Sequence, residues 1–281
     1  MSDCRSLLRT STLAQNEARI LMAFLFDKHL NLPRSAIQTH DDIQLDNKFI
    51  TEWESLQSRR MNGEPIAYLI GRRAFHNIEL QVAPGVLIPR PETEQLVDIA
   101  LLEIKKLNGQ GKILDLGTGS GAIALALAHA APQIGVTATD SSPAALVIAK
   151  KNADLLNLSD RIEFTLGEWY EALTPAAAHA FDVILSNPPY IHPADTHLTA
   201  GDLRFEPQSA LTDGIDGLTC IRTIISGSKG LLKSGGLIAL EHGYEQADAV
   251  ADLMDKAGLT EITKHLDLSG HSRMVSARNP I

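Results

Sequence analysis

The chain has 281 residues, which is enough for one large domain or two modest ones. Apolar residues make up 44% of the chain and charged residues 21%, so we expect a buried core and exclude a disordered chain. The formal net charge of -9 repels phosphate backbones at long range, and it weakens, without excluding, a nucleic-acid partner.

The two cysteines, Cys4 and Cys220, provide neither a disulfide framework nor a zinc signature. The N-terminal residues lack the apolar stretch of a signal peptide, and the most apolar run, residues 122–131, is too short to cross a bilayer. These features predict a cytoplasmic protein with no membrane association, no metal site and no stable binding of nucleic acid.

Apolar residues near the N-terminus recur at the spacing of one helical face. They are Ala18, Leu21, Met22, Leu25 and Phe26, followed by a second stripe at Phe49, Trp53 and Leu56. Gly63-Glu64-Pro65 interrupts this pattern, and residues 68–86 mix β-forming residues with glycine and proline, as a short hairpin or linker does. The sequence therefore predicts a helical domain at residues 1–70, a hairpin linker at 71–90 and a second domain at 91–281.

Strand and helix patterns alternate through the second domain. Strands are predicted at residues 112–116, 136–139, 162–166, 181–185 and 236–240, and helices at 122–130, 143–156, about 218–232 and 245–257. This alternation predicts an α/β fold, a Rossmann-like, doubly wound and mostly parallel sheet. Ligands of such sheets bind beyond the carboxyl ends of the strands, which selects the loops after Leu116, Thr139, Leu166 and Leu185.

The first of these loops is rich in glycine: Gly117-Thr118-Gly119-Ser120-Gly121. Glycines let the backbone approach a ligand closely, and Asp140, at the end of the next strand, lies where an acid that binds a ribose belongs. The same pattern occurs in dehydrogenases and in methyltransferases, so this loop leaves both enzyme classes open.

Two residues beside this loop have alternative interpretations. Asp140-Ser141-Ser142-Pro143 is also a good helix start, but the glycine loop and the strand-end position favour ribose binding by Asp140. Trp169 follows the strand at residues 162–166 and could be an ordinary core residue, although a strand-end aromatic next to an acid suits a flat base. We favour contact between Trp169 and the adenine of a cofactor.

The strand at residues 181–185 is followed by Asn187-Pro188-Pro189-Tyr190. An amide nitrogen is a poor nucleophile, so a catalyst that alkylates it must hold the NH2 group in a fixed orientation. The side-chain oxygen of Asn187 and the carbonyl of Pro188 can each accept one N–H, and neither proline has an N–H that would compete. Tyr190 can form an aromatic wall. The motif therefore favours N-methylation over hydride transfer, although an N-P dipeptide is also a common turn.

Two further groups of polar residues have simpler interpretations. The four residues His192, Asp195, His197 and Asp202 fit no standard metal-ligand spacing, which favours a solvated loop. Glu241-His242-Gly243 ends a predicted strand and could shape the rim of an active site, although a satisfied polar strand end is the favoured interpretation.

With these residues identified, the sequence closely resembles the release factor glutamine methyltransferases. The resemblance covers nearly the whole chain. Beyond the glycine loop and the Asn187 motif, it rests on Gly63-Glu64-Pro65-Ile66-Ala67-Tyr68, Leu87-Ile88-Pro89-Arg90-Pro91-Glu92-Thr93-Glu94 and Arg204-Phe205-Glu206-Pro207.

The resemblance implies methylation at N5 of the glutamine in the Gly-Gly-Gln motif of class I peptide chain release factors, in translation termination. The implied cofactor is S-adenosyl-L-methionine, and the product is S-adenosyl-L-homocysteine. It also implies a seven-stranded class I methyltransferase domain, whose last strands include residues 262–267 and 274–277, after a helical N-terminal domain that recognises the substrate.

The implied site residues follow from the matching positions. Gly117, Thr118, Gly119, Ser120, Gly121, Asp140, Trp169 and Asn187 would bind the cofactor, and Asn187, Pro188, Pro189 and Tyr190 the glutamine. Asn187, Pro188 and Tyr190 would be catalytic. Arg90 lies in a loop that resembles a segment closing over the substrate, although the same loop could simply begin the helix that follows Thr93.

Two other functions stay open on the sequence alone. Methyltransferases that act on adenine N6 or guanine N2 of nucleic acids share the Asn-Pro-Pro-Tyr motif, so a nucleic-acid base is the alternative substrate. A non-catalytic module that binds adenosine is the other possibility. The flanking motifs favour the protein substrate.

Overall fold

The computed structural model describes residues 3–281. Its internal contacts divide the chain into a first unit that ends at Arg72 and a second unit, Arg73–Ile281. None of the helices in residues 3–281 combines the length and the apolar character that crossing a bilayer requires.

The first unit is helical, as the apolar spacing predicts. Its helices are α1 (Cys4–Thr10), α2 (Gln15–Leu25), α3 (Ala36–Thr39), α4 (Asn47–Met61) and α5 (Ile66–Ile70), with a π-helical turn at Phe26–Leu30 after α2. Asp46 is the N-cap of α4, and its side chain accepts the Phe49 N–H at 2.8 Å. The two predicted stripes meet in one core, where Phe26 and Phe49 pack edge to face.

The hairpin begins inside the stretch 68–86 that mixes β-forming residues with glycine and proline, close to the start of the predicted linker at 71–90. Residues 68–70 form the end of helix α5 rather than part of a linker. Ala67, Tyr68 and Leu69 are buried, and this tertiary burial outweighs the β-forming tendency of the local sequence. The two strands are β1 (Arg72–Phe75) and β2 (Ile78–Gln81).

The second unit contains the predicted seven-stranded sheet. Its strands are β3 (Gln110–Leu116), β4 (Gln133–Asp140), β5 (Ile162–Leu166), β6 (Phe181–Ser186), β7 (Leu232–Glu241), β8 (Thr260–Leu266) and β9 (Ser272–Arg278). The order is β5-β4-β3-β6-β7-β9-β8. The first five strands in this order run parallel, and β9 pairs antiparallel with both β7 and β8. The predicted α/β, doubly wound class is confirmed.

Five helices cover the sheet in the described part of the second unit. They are α6 (Glu94–Lys106), α7 (Ala122–Ala130), α8 (Pro143–Leu155), α9 (Thr219–Leu231) and α10 (Ala247–Lys256). One apolar cluster holds α6, α7 and the β1–β2 hairpin against the sheet, and another holds α9 and α10. Because every parallel strand ends at the same edge, the loops after β3, β4, β5 and β6 converge there.

One buried side-chain amide links the β1–β2 hairpin to the glycine loop that follows β3. The side chain of Asn152, on α8, accepts the Gln81 N–H at 2.7 Å and donates to the Gln81 carbonyl at 3.0 Å. The same NH2 group donates to the Ser120 carbonyl at 2.9 Å. Asn152 therefore ties the hairpin to the glycine loop.

Candidate active site

The glycine loop leaves β3 and enters α7. The N–H groups of Gly117 and Thr118 both donate to the Thr139 carbonyl of β4, at 2.9 Å each. At Gly121 φ is +86°, and a Cβ there would lie 2.7 Å from the Leu125 side chain. The positive φ therefore favours glycine at the point where the loop enters α7.

A buried carboxyl group supports this loop from below. One oxygen of Asp115 accepts the Thr118 hydroxyl at 2.6 Å and the Ala124 N–H at 3.2 Å. Its other oxygen has no hydrogen-bond partner within residues 3–281. Burial raises the pKa of Asp115 to about 7, against the lowering effect of both bonds.

Asp140 links the glycine loop to the next helix. Its two oxygens accept the Gly119 N–H and the Ser142 N–H, each at 2.8 Å. The cap of α8 is Ser142, whose hydroxyl oxygen accepts the Ala145 N–H at 3.2 Å. Burial raises the pKa of Asp140, which opposes these two bonds.

Trp169 follows β5 in an unfavourable backbone conformation. Its φ is +45°, in the left-handed region that large side chains rarely adopt. The ring lies beneath the glycine loop, since a Cβ on Gly117 would be 3.4 Å from it. The indole also packs partly against the core between the sheet and α9.

A cavity of about 610 Å³ lies where the four predicted loops meet. The predicted site residues on its wall are Gly117, Thr118, Gly119, Ser120, Asp140, Trp169, Asn187 and Pro189. Gly121, Pro188, Tyr190 and Arg90, all within the described chain, do not line it. Its size is that of a site for a small organic ligand.

The Asn187 motif follows β6, beside the end of β7. Ser186 pairs with Leu240 across the two strands, so Asn187 and Glu241 leave adjacent strands at the same edge. The Asn187 NH2 group donates to the Thr93 hydroxyl at 3.0 Å. Pro188 is buried, whereas Tyr190 is half-buried and packs against the core beneath α9 and α10.

Glu241 is the buried centre of this group. One of its oxygens accepts the Thr93 hydroxyl at 2.6 Å, and the other accepts the Tyr190 hydroxyl at 3.0 Å. Burial raises the pKa of Glu241 to about 7. Burial and the nearby Glu241 charge also raise the pKa of Tyr190, which keeps the phenol protonated.

Arg90 forms an ion pair with the buried carboxylate of Glu206. The second Glu206 oxygen accepts the Ile88 N–H at 2.9 Å. The pKa of Glu206 is nevertheless raised, because burial outweighs the positive charge of Arg90. About 31% of the Arg90 side chain stays exposed, so the pair fixes residues 88–90 while leaving part of the guanidinium accessible.

Relatives of this chain are similar over almost its whole length. It is 45% identical to the release factor glutamine methyltransferase of Burkholderia pseudomallei, over 98% of this chain and 95% of that one. It is 44% identical to the enzyme of the same name from Bordetella pertussis, over 98% of each chain. The corresponding enzyme of Neisseria gonorrhoeae is 41% identical, over 95% of this chain and 94% of that one.

This chain belongs to the release factor glutamine methyltransferase family.

Two family models agree with this membership. Residues 2–71 match the PrmC N-terminal domain, and residues 96–214 match the methyltransferase small domain. A solved methyltransferase from Pyrococcus furiosus is similar in fold, with a TM-score of 0.54 and 18% identity over 81% of this chain and 100% of that one. The sequence-based prediction of a release factor glutamine methyltransferase is thereby confirmed.

Two members of the site in this glutamine methyltransferase were not predicted as such. The sequence places Thr93 only in the loop before a helix, and for Glu241 it favours a polar strand end over a place at the active-site rim. They lie 148 positions apart in the chain and meet only through the fold.

Asp195 contacts His197 at 2.6 Å, and residues 3–281 contain no group of three or more acidic, histidine or cysteine side chains that could hold a metal ion.

Proposed function

We propose that this methyltransferase transfers a methyl group from S-adenosyl-L-methionine to the side-chain amide nitrogen of the glutamine in the Gly-Gly-Gln motif of class I release factors. The observation that carries this proposal is the position of Asn187, whose amide lies on the wall of the cavity beside the glycine loop and is oriented by Thr93. Membership of the family supports the choice of a protein glutamine over another nitrogen.

The wall of the cavity suits the proposed cofactor. Asp140 offers carboxylate oxygens that can accept from ribose hydroxyl groups, and Trp169 offers a flat apolar face for a base. Gly117 and Gly119 present backbone rather than side chains to the same space. We propose that these four residues bind S-adenosyl-L-methionine, together with Thr118, Ser120 and Asn187, while Gly121 acts by shaping the loop.

When bound, S-adenosyl-L-methionine supplies a methyl group on a positively charged sulfur, which is already electrophilic. The task of the protein is therefore to position the nitrogen. Two acceptors, the Asn187 Oδ1 and the Pro188 carbonyl, would each take one N–H of the glutamine amide and hold its plane fixed. Orientation of this kind can lower a barrier by about 7 to 11 kcal/mol at best.

The remaining residues of the motif would complete the glutamine site. Pro189 fixes its own φ and restricts Pro188, so the second acceptor cannot rotate away. Tyr190 would provide an aromatic wall, and Arg90 would contact the substrate with the accessible part of its guanidinium. We further propose that the helical unit ending at Arg72 recognises the release factor.

The proposal is tested by incubating the purified protein with methyl-labelled S-adenosyl-L-methionine and a class I release factor. We expect label in the release factor and its loss when the Gly-Gly-Gln glutamine is replaced by glutamate, which has no amide nitrogen. Ribosomal RNA and double-stranded DNA serve as parallel substrates. Label that persists in the substituted factor, or that enters only a nucleic acid, would refute the proposal.

A further inference from the structure

Four side chains, two buried and two half-buried, form one hydrogen-bonded network at the end of the sheet. Asn187 contacts Thr93, Thr93 contacts Glu241, and Glu241 contacts Tyr190. Thr93 comes from the turn before α6, and Glu241 from the end of β7. This hydrogen-bonded network therefore joins both ends of the Asn187 motif to one carboxyl group.

The hydroxyl of Thr93 determines which way the Asn187 amide points. A hydroxyl has a single proton, and Thr93 donates that proton to the Glu241 carboxylate at 2.6 Å. Toward Asn187 the same hydroxyl can only accept. Asn187 must therefore turn its NH2 group to Thr93, which leaves Oδ1 as the atom available to a target amide.

We propose that Glu241 and Thr93 are positioning residues, which hold the Asn187 amide with its oxygen available to the substrate nitrogen and fix Tyr190 through the same carboxylate. This inference rests on the proposed function, because it requires Asn187 to accept an N–H of the substrate. Neither residue needs to contact the reacting atoms.

Two observations separate this role from ordinary packing. Glu241 is only 1% exposed, and a carboxylate removed from water at the sheet edge costs more than an apolar residue of similar size would. Thr93 occupies the N-cap position of α6, yet its side chain makes no capping bond. Its hydroxyl serves Glu241 and Asn187 instead.

The orientation of the Asn187 amide depends on whether Glu241 is ionised, and it therefore depends on pH. The pKa of Glu241 is raised to about 7 by burial and by Glu92, against the lowering effects of Thr93, Tyr190 and Arg273. A protonated Glu241 can donate to Thr93 and free the Thr93 proton to point at Asn187. The amide would then turn its oxygen toward Thr93 and its NH2 group toward the substrate, so activity falls as the pH drops below this pKa.

The first test compares Thr93→Val with Thr93→Ser in the full-length protein, with a release factor as substrate. We expect Thr93→Val to lower kcat by about tenfold, because one hydrogen bond that orients Asn187 is lost. The affinity for S-adenosyl-L-homocysteine, measured by calorimetry, should change by less than about threefold. Thr93→Ser keeps the hydroxyl and should recover most of the lost turnover.

Ser228→Ala provides a matched control for the loss of a buried hydroxyl. Ser228 lies on α9, where its hydroxyl donates only to the Ile225 carbonyl at 2.8 Å. We expect Ser228→Ala to lower thermal stability, though by less than Thr93→Val, which also leaves an oxygen of the buried Glu241 unpaired, and to keep kcat close to wild type. Equal kcat in wild type, Thr93→Val and Thr93→Ser would overturn the inference while leaving the proposed function intact.

The second test is the pH profile of Glu241→Gln, which cannot ionise. In the wild type, kcat/KM should rise as the pH passes through about 7, where Glu241 loses its proton. In Glu241→Gln this rise should disappear. An unchanged rise in the variant would overturn the inference, and a wild-type protein that labels no release factor would overturn both this inference and the proposed function.

Discussion

Asn187 is the residue on which the proposed chemistry depends. It lies on the cavity wall near the glycine loop, and its side-chain NH2 group donates to the Thr93 hydroxyl at 3.0 Å. An amide in this place can distinguish an NH2 group, which offers two N–H donors, from a carboxylate, which offers none.

We predict that Asn187→Ala lowers turnover by about 100-fold or more, by analogy with the loss of one oriented polar group in other active sites. The affinity for S-adenosyl-L-methionine should stay within a few fold, because the loops after β3 and β4 are unchanged. Steady-state kinetics and calorimetry measure the two quantities. Asn77→Ala, which removes an exposed amide in the turn between β1 and β2, is the control, and unchanged turnover in Asn187→Ala would remove Asn187 from the mechanism.

Site residues that belong to a short local motif can be predicted from the sequence. Residues whose role depends on a partner far along the chain cannot. Asp140 and Asn187 are predictable because each ends a strand in an expected order. Thr93 and Glu241 are not, because the role of this threonine depends on its contact with the Glu241 carboxylate, which comes from β7 and lies 2.6 Å away. The role of each predicted residue stays a prediction until it is measured.

At the scale of elements, the end of β3 and the start of α7 are joined by Asp115. This carboxyl group bonds the glycine loop and the helix with one oxygen and leaves the other without a partner in the described chain. A buried carboxylate in this position is a cost to stability whenever it is ionised.

We predict that Asp115→Asn changes how stability depends on pH. The pKa of Asp115 is raised to about 7, so between about pH 4 and 7 the folded protein holds a proton that the unfolded chain has released. The free energy of unfolding of the wild type therefore falls as the pH rises through this window. Asparagine cannot ionise and should lose this slope.

Denaturant titrations at about pH 5 and pH 8 would measure the difference. We expect the difference in unfolding free energy, Asp115→Asn minus wild type, to be roughly 1 to 4 kcal/mol more positive at about pH 8 than at about pH 5. Asp160→Asn, which alters an exposed carboxylate, controls for net charge. Parallel pH profiles for wild type and Asp115→Asn would show that this carboxyl group does not titrate as described.

The loop before α9 supports the Asn187 motif from behind. Gly217 and Gly214 both have φ of +73°, but only at Gly217 would a Cβ collide with the chain, 2.5 Å from the Tyr190 carbonyl. At Gly214 the same Cβ meets nothing within 4 Å. Alanine at these two positions therefore distinguishes the cost of backbone strain from the effect of displacing Tyr190.

We predict that Gly214→Ala costs about 1 to 2 kcal/mol of stability, from its backbone conformation alone, with nearly normal turnover. Gly217→Ala should cost at least about 1 kcal/mol more and lower turnover several-fold, because the Tyr190 backbone must shift. Thermal unfolding and kcat on a release factor measure both effects. Equal turnover in the two variants would show that Tyr190 tolerates displacement.

Element boundaries show where local sequence is sufficient. Helix α7 starts and ends where the pattern predicts, because the glycine loop precedes it and an apolar run fills it. The last three residues of helix α5, 68–70, lie in a stretch whose pattern predicts a hairpin or linker, and their helical state depends on the burial of Tyr68 and Leu69. The seven-stranded sheet follows from strand alternation together with family resemblance.

At the scale of the whole molecule, each of the two units has its own apolar core. All residues that line the cavity belong to Arg73–Ile281. The proposed cofactor site is thus contained in one unit, whereas the proposed recognition of the release factor belongs to the other.

We predict that a truncated protein comprising residues 73–281 folds and binds S-adenosyl-L-homocysteine within about threefold of the full chain, because its cavity is complete. Its kcat/KM on a release factor should fall by about tenfold or more, since the helical unit is lost. Circular dichroism, calorimetry and methyl transfer measure these properties. A folded truncated protein with unchanged kcat/KM would exclude a role of the first unit in substrate recognition.

The proposed reaction places the methyl group on a glutamine amide nitrogen held by Asn187 and Pro188. Fragmentation mass spectrometry of a release factor, after reaction with the wild-type protein, tests it most directly. We predict a single added methyl group on the side-chain nitrogen of the Gly-Gly-Gln glutamine, and its absence after reaction with Asn187→Ala. A methyl group on any other residue, or full methylation of that glutamine by Asn187→Ala, would contradict the account.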